Sequence, residues 1–433
     1  MLTAPFLTEL DSRAAVKGSR DPLGIQAIWT RLGRHVVGNL TTVSDSVRDY
    51  TTLLLGYHFA EQLSDELEPG SELRTFLKWE QLVGYARALV NEDFRFRGTG
   101  RVQRNLARKD RISLSDHPAD QILGNQKIYG LWGLFTSPAR ASRLLDDETP
   151  PRLTAAARHF VEEVYLKRLE DETGKGCRGI LDLLRAPHST LDPKGRHKRL
   201  VEAVGGILRP KLTSKERAFF RQYLLLGGPA DSTAGRQAQL AELLKDTLQG
   251  EQFAWSPPVV GDLVKAARPR GAEWEELAIR LERIRLCECV MAPISALFGH
   301  LLGMEDGGPS ELARRVKTAW GEGLRSIDAP AFRELQTEIA DGVPEVGDRW
   351  VAIAEAAADG RYVELSELLL AQNAWVMSAR GGSAWVGLRN GRFHIRYKDD
   401  TEDLPQRSQL PWLWRFSYFL GPLRNVAHTL EVA

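Results

Sequence analysis

Apolar residues recur at three- and four-residue spacing along most of the chain, the pattern of helices that each turn one face to a core. Ile25, Ile28, Trp29 and Leu32 predict a first helix, which Gly38-Asn39-Leu40-Thr41-Thr42 breaks. Thr42 or Ser44 can cap the next one, because a side-chain oxygen satisfies free backbone N–H groups. That helix carries Val47, Tyr50, Leu54 and His58 along one stripe. A third is predicted from about Glu72 to Val90, with Leu73, Phe76, Leu77 and Trp79 near its start. Pro150 and Pro151 suit a first helical turn, here leading into Leu153, Ala157, Phe160, Val164 and Leu166, with Gly174 and Gly176 as the stop. Shorter helices follow at 177–186, 196–208 and 213–225. The strongest periodic element begins at Glu273, where Trp274, Leu277, Leu281 and Ile284 form one stripe and Glu275, Glu276, Arg280 and Arg283 lie elsewhere.

Near the C-terminus the period changes from helical to alternating. Ala384, Val386 and Leu388 alternate with Trp385, Gly387 and Arg389; Phe393, Ile395 and Tyr397 alternate with Arg392, His394 and Arg396. Asn390-Gly391 lies between the two runs. A type I′ turn needs positive φ at both central residues, so Asn-Gly flanked by alternating runs predicts a β-hairpin. The closing aromatic segment, Trp412 to Leu430, reads as helical and as the surface on which the hairpin's apolar face packs.

The predicted fold is therefore mainly α, multi-helical, with a small C-terminal β-hairpin packed on a terminal helix. Gly227-Gly228-Pro229-Ala230-Asp231-Ser232 lacks bulky apolar residues and is rich in breakers. It divides the chain into an N-terminal helical domain (1–226), a second helical domain (235–372) and a hairpin-plus-helix subdomain (373–433).

Composition narrows the class. At 43% hydrophobic and 27% charged residues the 433-residue chain is globular, not disordered. The net charge of +1 means that a nucleic-acid role must rest on local clustering. Arginine outnumbers lysine, which fits a GC-rich bacterial genome as well as phosphate binding. Three cysteines, Cys177, Cys287 and Cys289, give no disulfide framework and fit a reducing compartment. The first residues lack a charged stretch followed by an apolar run, so no signal peptide is expected. The most apolar window, Leu286–Met304, contains Glu288, Pro293 and His300 and is expected to be a buried core helix, not a membrane span. A cytoplasmic location without membrane association follows as an expectation.

Two basic surfaces stand out. The segment Phe94 to Arg111 holds Arg95, Arg97, Arg101, Arg104, Arg108, Lys109 and Arg111, interleaved with Phe94 and Phe96. A helix starting at Gly98-Thr99-Gly100 would place Arg101, Arg104 and Arg108 on one face. Cations beside aromatics suit single-stranded nucleic acid; pairing with Glu92, Asp93 and Asp110 is the structural alternative. On the hairpin, period-2 geometry sets Arg389, Arg392, His394 and Arg396 opposite the apolar face, with Trp385 on the exposed side. Such a face can block edge pairing, or dock nucleic acid or an acidic partner.

Catalytic and metal signatures are weak. Cys287-x-Cys289 puts its thiols on different sides of a helix with no second pair, and Cys287 is expected to be a buried core residue, not a zinc ligand. Thr173-Gly174-Lys175-Gly176 departs from a phosphate-binding loop, with Leu169 at the first glycine position and Gly176 at the hydroxyl position. Asp192-Pro193-Lys194 suits a turn better than the strand of a nuclease core. Arg152…His159 and Arg424…His428 match a helical RNase spacing only loosely. No catalytic residue, metal or cofactor is assigned.

Asp21-Pro22-Leu23-Gly24 with the preceding Arg20, Asn39-Leu40-Thr41-Thr42, Arg380-Gly381-Gly382-Ser383-Ala384-Trp385-Val386 and Trp412…Tyr418-Phe419-Leu420 together resemble large uncharacterised helical proteins encoded beside bacterial anti-phage systems. The likeness covers about a fifth of the chain and carries no site residues across. It implies a subunit of a multi-protein defence complex. The expected function is a non-enzymatic subunit that binds a protein partner, DNA or RNA. The alternative is a helical nuclease or other nucleic-acid-processing enzyme.

Overall fold

The structure, a computed structural model, describes residues 21–64, 66–68, 70–173, 177–248, 253–398 and 403–432. The fold is mainly α, with two small antiparallel two-stranded sheets among the described residues. These residues form two compact units. One takes the chain up to Val36 and between Gln252 and Tyr418; the other takes Val37 to Glu251 and the chain from Phe419 on.

In the 37–251 unit the centre is the Val47–Ser64 helix packed along the Ser71–Val90 helix. Both are buried on nearly every side, as expected of helices without a polar face. Their close approach depends on Gly56: a Cβ there would lie 2.6 Å from the Phe76 ring. The Trp79 indole N–H donates to the Thr52 carbonyl at 2.8 Å. Around this pair lie the Thr99–Arg108, Leu131–Ala141, Arg178–Arg185 and Lys198–Ile207 helices. Strands Ile112–Leu114 and Ser189–Leu191 pair antiparallel, with Ile112 opposite Leu191. Three residues each are too short to show a period, and these strands were not foreseen.

In the other unit the 27-residue Glu275–Leu301 helix is the core. Helices Pro257–Ala267 and Ile25–Arg34 pack on it. Ala272–Leu301 is long and apolar enough to cross a membrane, but 78% of its most apolar window is buried inside the protein. Cys287 is fully buried, and Cys289 nearly so. Leu23 and Gly24, before the first helix, sit against the Tyr362–Ala379 helix: the Gln372 amide donates to the Leu23 carbonyl at 2.9 Å and the Asn373 amide to Pro22 at 3.0 Å.

The hairpin forms as expected, from Val386–Arg389 and Arg392–Ile395 turning at Asn390 (φ 53°) and Gly391 (φ 73°). Phe393 and Ile395 are buried; Arg389, Arg392, His394 and Arg396 are exposed. Trp385 is a correction. Instead of joining the basic face it is buried, its backbone N–H donating to the Asn373 side-chain oxygen at 2.8 Å and its ring lying 4.3 Å from that of Tyr397. The base of the hairpin is covered on both faces, which alternation cannot reveal. The hairpin's neighbours are the Tyr362–Ala379 helix and the 306–307 turn, where the Phe393 N–H donates to the Gly307 carbonyl at 2.7 Å and the Asp306 N–H to the Phe393 carbonyl at 3.1 Å. The closing helix, its expected partner, belongs to the other unit.

Three further expectations change. The helix after Pro150-Pro151 begins at Ala155, capped by the Thr154 hydroxyl, and the prolines precede it in non-helical chain. Its expected stop, Gly174 and Gly176, lies outside the described residues. Trp412 ends a short 3-10 turn from Leu410, 413–417 has no regular structure, and the closing α-helix runs only from Leu420 to Glu431. The 227–232 stretch is no boundary. The Asp231 carboxylate accepts from the Thr233 and Gly235 N–H groups at 2.8 and 2.7 Å and builds the turn into the Arg236–Leu244 helix.

Candidate nucleic-acid interface

The basic segment 94–111 begins at a buried ion-pair network. Arg87 reaches Asp49 at 2.6 Å and Asp93 at 2.8 Å, with its guanidinium over the Phe96 ring. Asp93 also accepts from the Arg95 N–H at 3.0 Å, fixing the chain where it leaves the core. Arg95 and Arg97 extend outward and are exposed. Glu80, close by, accepts from the Leu131 N–H and the Gln126 amide, both at 2.8 Å; burial pushes its carboxyl up to about 7. The void among Asp49, Glu80, Arg87, Phe96 and Arg97 measures about 10 Å³, room for about one water. These polar groups satisfy one another and leave no space for a substrate.

The Thr99–Arg108 helix then divides its three arginines. Arg101 folds back, its Nη1 donating to the Gln121 carbonyl at 2.6 Å and to Pro118 at 3.2 Å. It clamps the 115–125 loop and is not available to a ligand. Arg104 and Arg108 stay exposed, as do Lys109 and Arg111 beyond the helix end.

The short sheet gives these residues company. Because Ile112 pairs with Leu191, the next position along the register sets Arg111 opposite Asp192, where the second strand passes into a turn. That turn carries Lys194 and Arg196, and the helix it leads into opens with Lys198 and Arg199, all exposed. It is tightly built. The Asp192 N–H donates to His197 Nδ1 at 3.0 Å, the His197 N–H to the Asp192 carbonyl at 2.9 Å, and the Gly195 N–H to the Asp192 carboxylate at 2.9 Å. Burial, and then the Arg196 charge, hold His197 below the ordinary histidine value, so it stays a neutral acceptor. A Cβ at Gly195 would lie 2.6 Å from the Asp192 carboxylate, so a side chain there would push that carboxylate out of the turn.

The strand pairing thus brings the end of the first basic segment, at Arg111, beside the start of a second one far away in sequence. Lys198 meets Glu202 at 3.8 Å. Arg104, Arg108, Lys109, Arg111, Lys194, Arg196 and Arg199 have no carboxylate at ion-pair distance among the described residues. Sequence reading named the first segment and missed the second, although the run Lys194-Gly195-Arg196-His197-Lys198-Arg199 was a visible signal. Arg389, Arg392 and Arg396 are a separate exposed group on the hairpin, in the other unit.

The looser motifs serve structure or lie apart. The Arg424 guanidinium donates to the Thr247 carbonyl at 2.7 Å while His428 is exposed. Arg152 and His159 are both exposed, and Asp192-Pro193 is part of the turn. Among the described residues no three His, Cys, Asp or Glu side chains are grouped to hold a metal. The chain matches no family model, no curated protein and no solved structure.

Proposed function

We propose that the protein is a non-enzymatic, cytoplasmic subunit of a bacterial multi-protein complex in the setting of phage defence, and that its own task is to hold nucleic acid by the phosphate backbone. The observation that carries this reading is the group of exposed cations at 104–111 and 194–199, of which Lys198 alone has a carboxylate at ion-pair distance among the described residues. Like charges held together repel; Asp110 and Glu202 offset part of that cost, and a phosphate backbone would offset the rest. The defence setting rests on the resemblance alone.

The test is a salt-titrated binding assay with labelled nucleic acid and the full chain. Log affinity should fall linearly with log salt, by about 0.7–0.9 per phosphate neutralised. Replacing Arg104, Arg108 and Lys109 with Ala should weaken binding to all sequences alike, since backbone contacts carry no sequence information. The substrate should remain intact with magnesium or manganese present; cleavage lost on mutation would instead favour the nuclease alternative. Deletion in the native host should raise phage plaquing, and unchanged plaquing across a phage panel would remove the defence setting.

A further inference from the structure

We infer that the ligand of the basic surface is a nucleic-acid duplex, gripped across one groove by two rows of cations. This deepens the functional reading above and rests on it. The first row is Arg104, Arg108, Lys109 and Arg111; the second is Lys194, Arg196, Lys198 and Arg199. They leave the sheet from paired positions, Ile112 and Leu191, so they begin one strand spacing apart, about 4.8 Å. Arginine and lysine side chains extend several ångströms beyond the backbone. Two such rows can straddle a groove about 6–12 Å wide, the range of duplex grooves. A single strand offers only one phosphate track.

The surface also lacks what single-strand binding needs. Proteins that hold single strands stack bases on aromatic side chains. Neither cation row contains an exposed aromatic residue. Phe94 is exposed, but it precedes the ten-residue Thr99–Arg108 helix, while the cations gather at that helix's far end. Ten helical residues span about 15 Å. The sequence pattern of aromatics interleaved with arginines is thus divided by the fold: Phe96 turns to the core side under Arg87, Phe94 stays exposed with Arg95 and Arg97 before the helix, and Arg108, Lys109 and Arg111 lead to the sheet. What remains is a rigid, sequence-indifferent phosphate clamp. The turn that opens the second row is fixed by Asp192, Gly195 and His197 before any ligand arrives.

The experiment uses the full-length protein and four labelled probes of equal length: duplex DNA, duplex RNA, single-stranded DNA and single-stranded RNA. Binding is followed by anisotropy between about 0.05 and 0.2 M salt. At least one duplex should bind tenfold or more tighter than either single strand, and which duplex does so identifies the natural backbone. Two variants separate the rows: Arg108→Gln/Lys109→Gln/Arg111→Gln, and Lys194→Gln/Arg196→Gln/Arg199→Gln. Each should lower duplex affinity at least tenfold at about 0.1 M salt and flatten the salt slope by about 2–3. Their circular dichroism and melting should match the parent. Arg389→Gln/Arg392→Gln/Arg396→Gln removes equal charge elsewhere and should leave duplex affinity within about twofold. Single strands binding as tightly as duplexes would overturn the inference while leaving the backbone-binding function intact. Heparin competing as well as duplex at equal charge would also overturn it, since only charge would then be recognised. No binding to any probe would remove both.

Discussion

Arg101 and Arg104 lie one turn apart on the same helix, yet only Arg101 is used by the fold. Its guanidinium donates to three loop carbonyls, at Gln121, Pro118 and Leu123, and such charge-assisted bonds contribute more than neutral ones. Arg101→Ala should destabilise the protein by about 1–2 kcal/mol, and Arg104→Ala by less than about 0.5 kcal/mol. Urea denaturation of the two variants reads the difference, and equal losses would show that the loop clamp contributes nothing. The triple Arg-to-Ala change that sequence alone suggests, at 101, 104 and 108, would confuse a stability loss with a binding loss. Lys78 makes the same point deeper inside. It is a fully buried lysine on the Ser71–Val90 helix, and its ammonium donates to the carbonyls of Leu183, Leu184 and Ala186 at the end of the Arg178–Arg185 helix. There it satisfies orphan carbonyls and meets the negative end of the helix dipole.

The hairpin tests how far an element can be read from its residues. Asn390 and Gly391 both sit at positive φ, where an ordinary side chain costs about 1–2 kcal/mol. Asn390→Ala should therefore lower stability by about 1 kcal/mol and Asn390→Gly by much less. Comparable melting losses in both would mean that the Asn side chain, not its backbone angle, matters. The hairpin was legible because its period and its turn signal agree. The helices were legible where polar and apolar faces alternate, as in 25–34, and their ends where Thr or Gly caps them. The pair 112–114 with 189–191 was not legible: three residues show no period, and no local pattern records which distant segment will join them. Half of the basic surface went unseen for that reason. A composition break such as 227–232 reads as a linker, but Asp231 turns it into a capping turn. Neither unit is continuous in sequence, so no single cut in the chain could have divided them.

At the scale of the whole molecule, each unit carries its own buried carboxyl. In one, Glu80 lies beneath Gln126 and Leu131; in the other, Glu288 accepts from the N–H groups of Arg415 and Phe416 through one oxygen and has the Tyr418 hydroxyl beside it. Burial pushes both up to about 7, from about 4.5 in the unfolded chain. The raised value means that the folded state binds these protons more tightly. Their contribution is fully present below about pH 4.5 and is lost as pH rises through 7, because stability falls wherever the native state holds more protons than the unfolded one. A shift of this size amounts to roughly 3 kcal/mol per group. His58, lowered by burial, acts in the opposite sense below its ordinary value of 6.5, and Asp93 and Glu216, both lowered, act only in more acidic solution. Melting should therefore be followed from pH 5 to pH 8 in parent and variants, so that the common terms cancel. Glu288→Gln keeps the acceptor oxygen and places an uncharged amide where the second oxygen stands. Its stability relative to the parent should rise steadily with pH, reaching parity or better by pH 8. Glu80→Gln should show the same trend in the other unit. If unfolding proceeds in two transitions, each variant should flatten the pH dependence of only one of them, because the two carboxyls lie in different compact units. A difference between parent and variant that stays constant across pH would mean that the carboxyl remains ionised in the fold, held by its hydrogen bonds against the cost of burial.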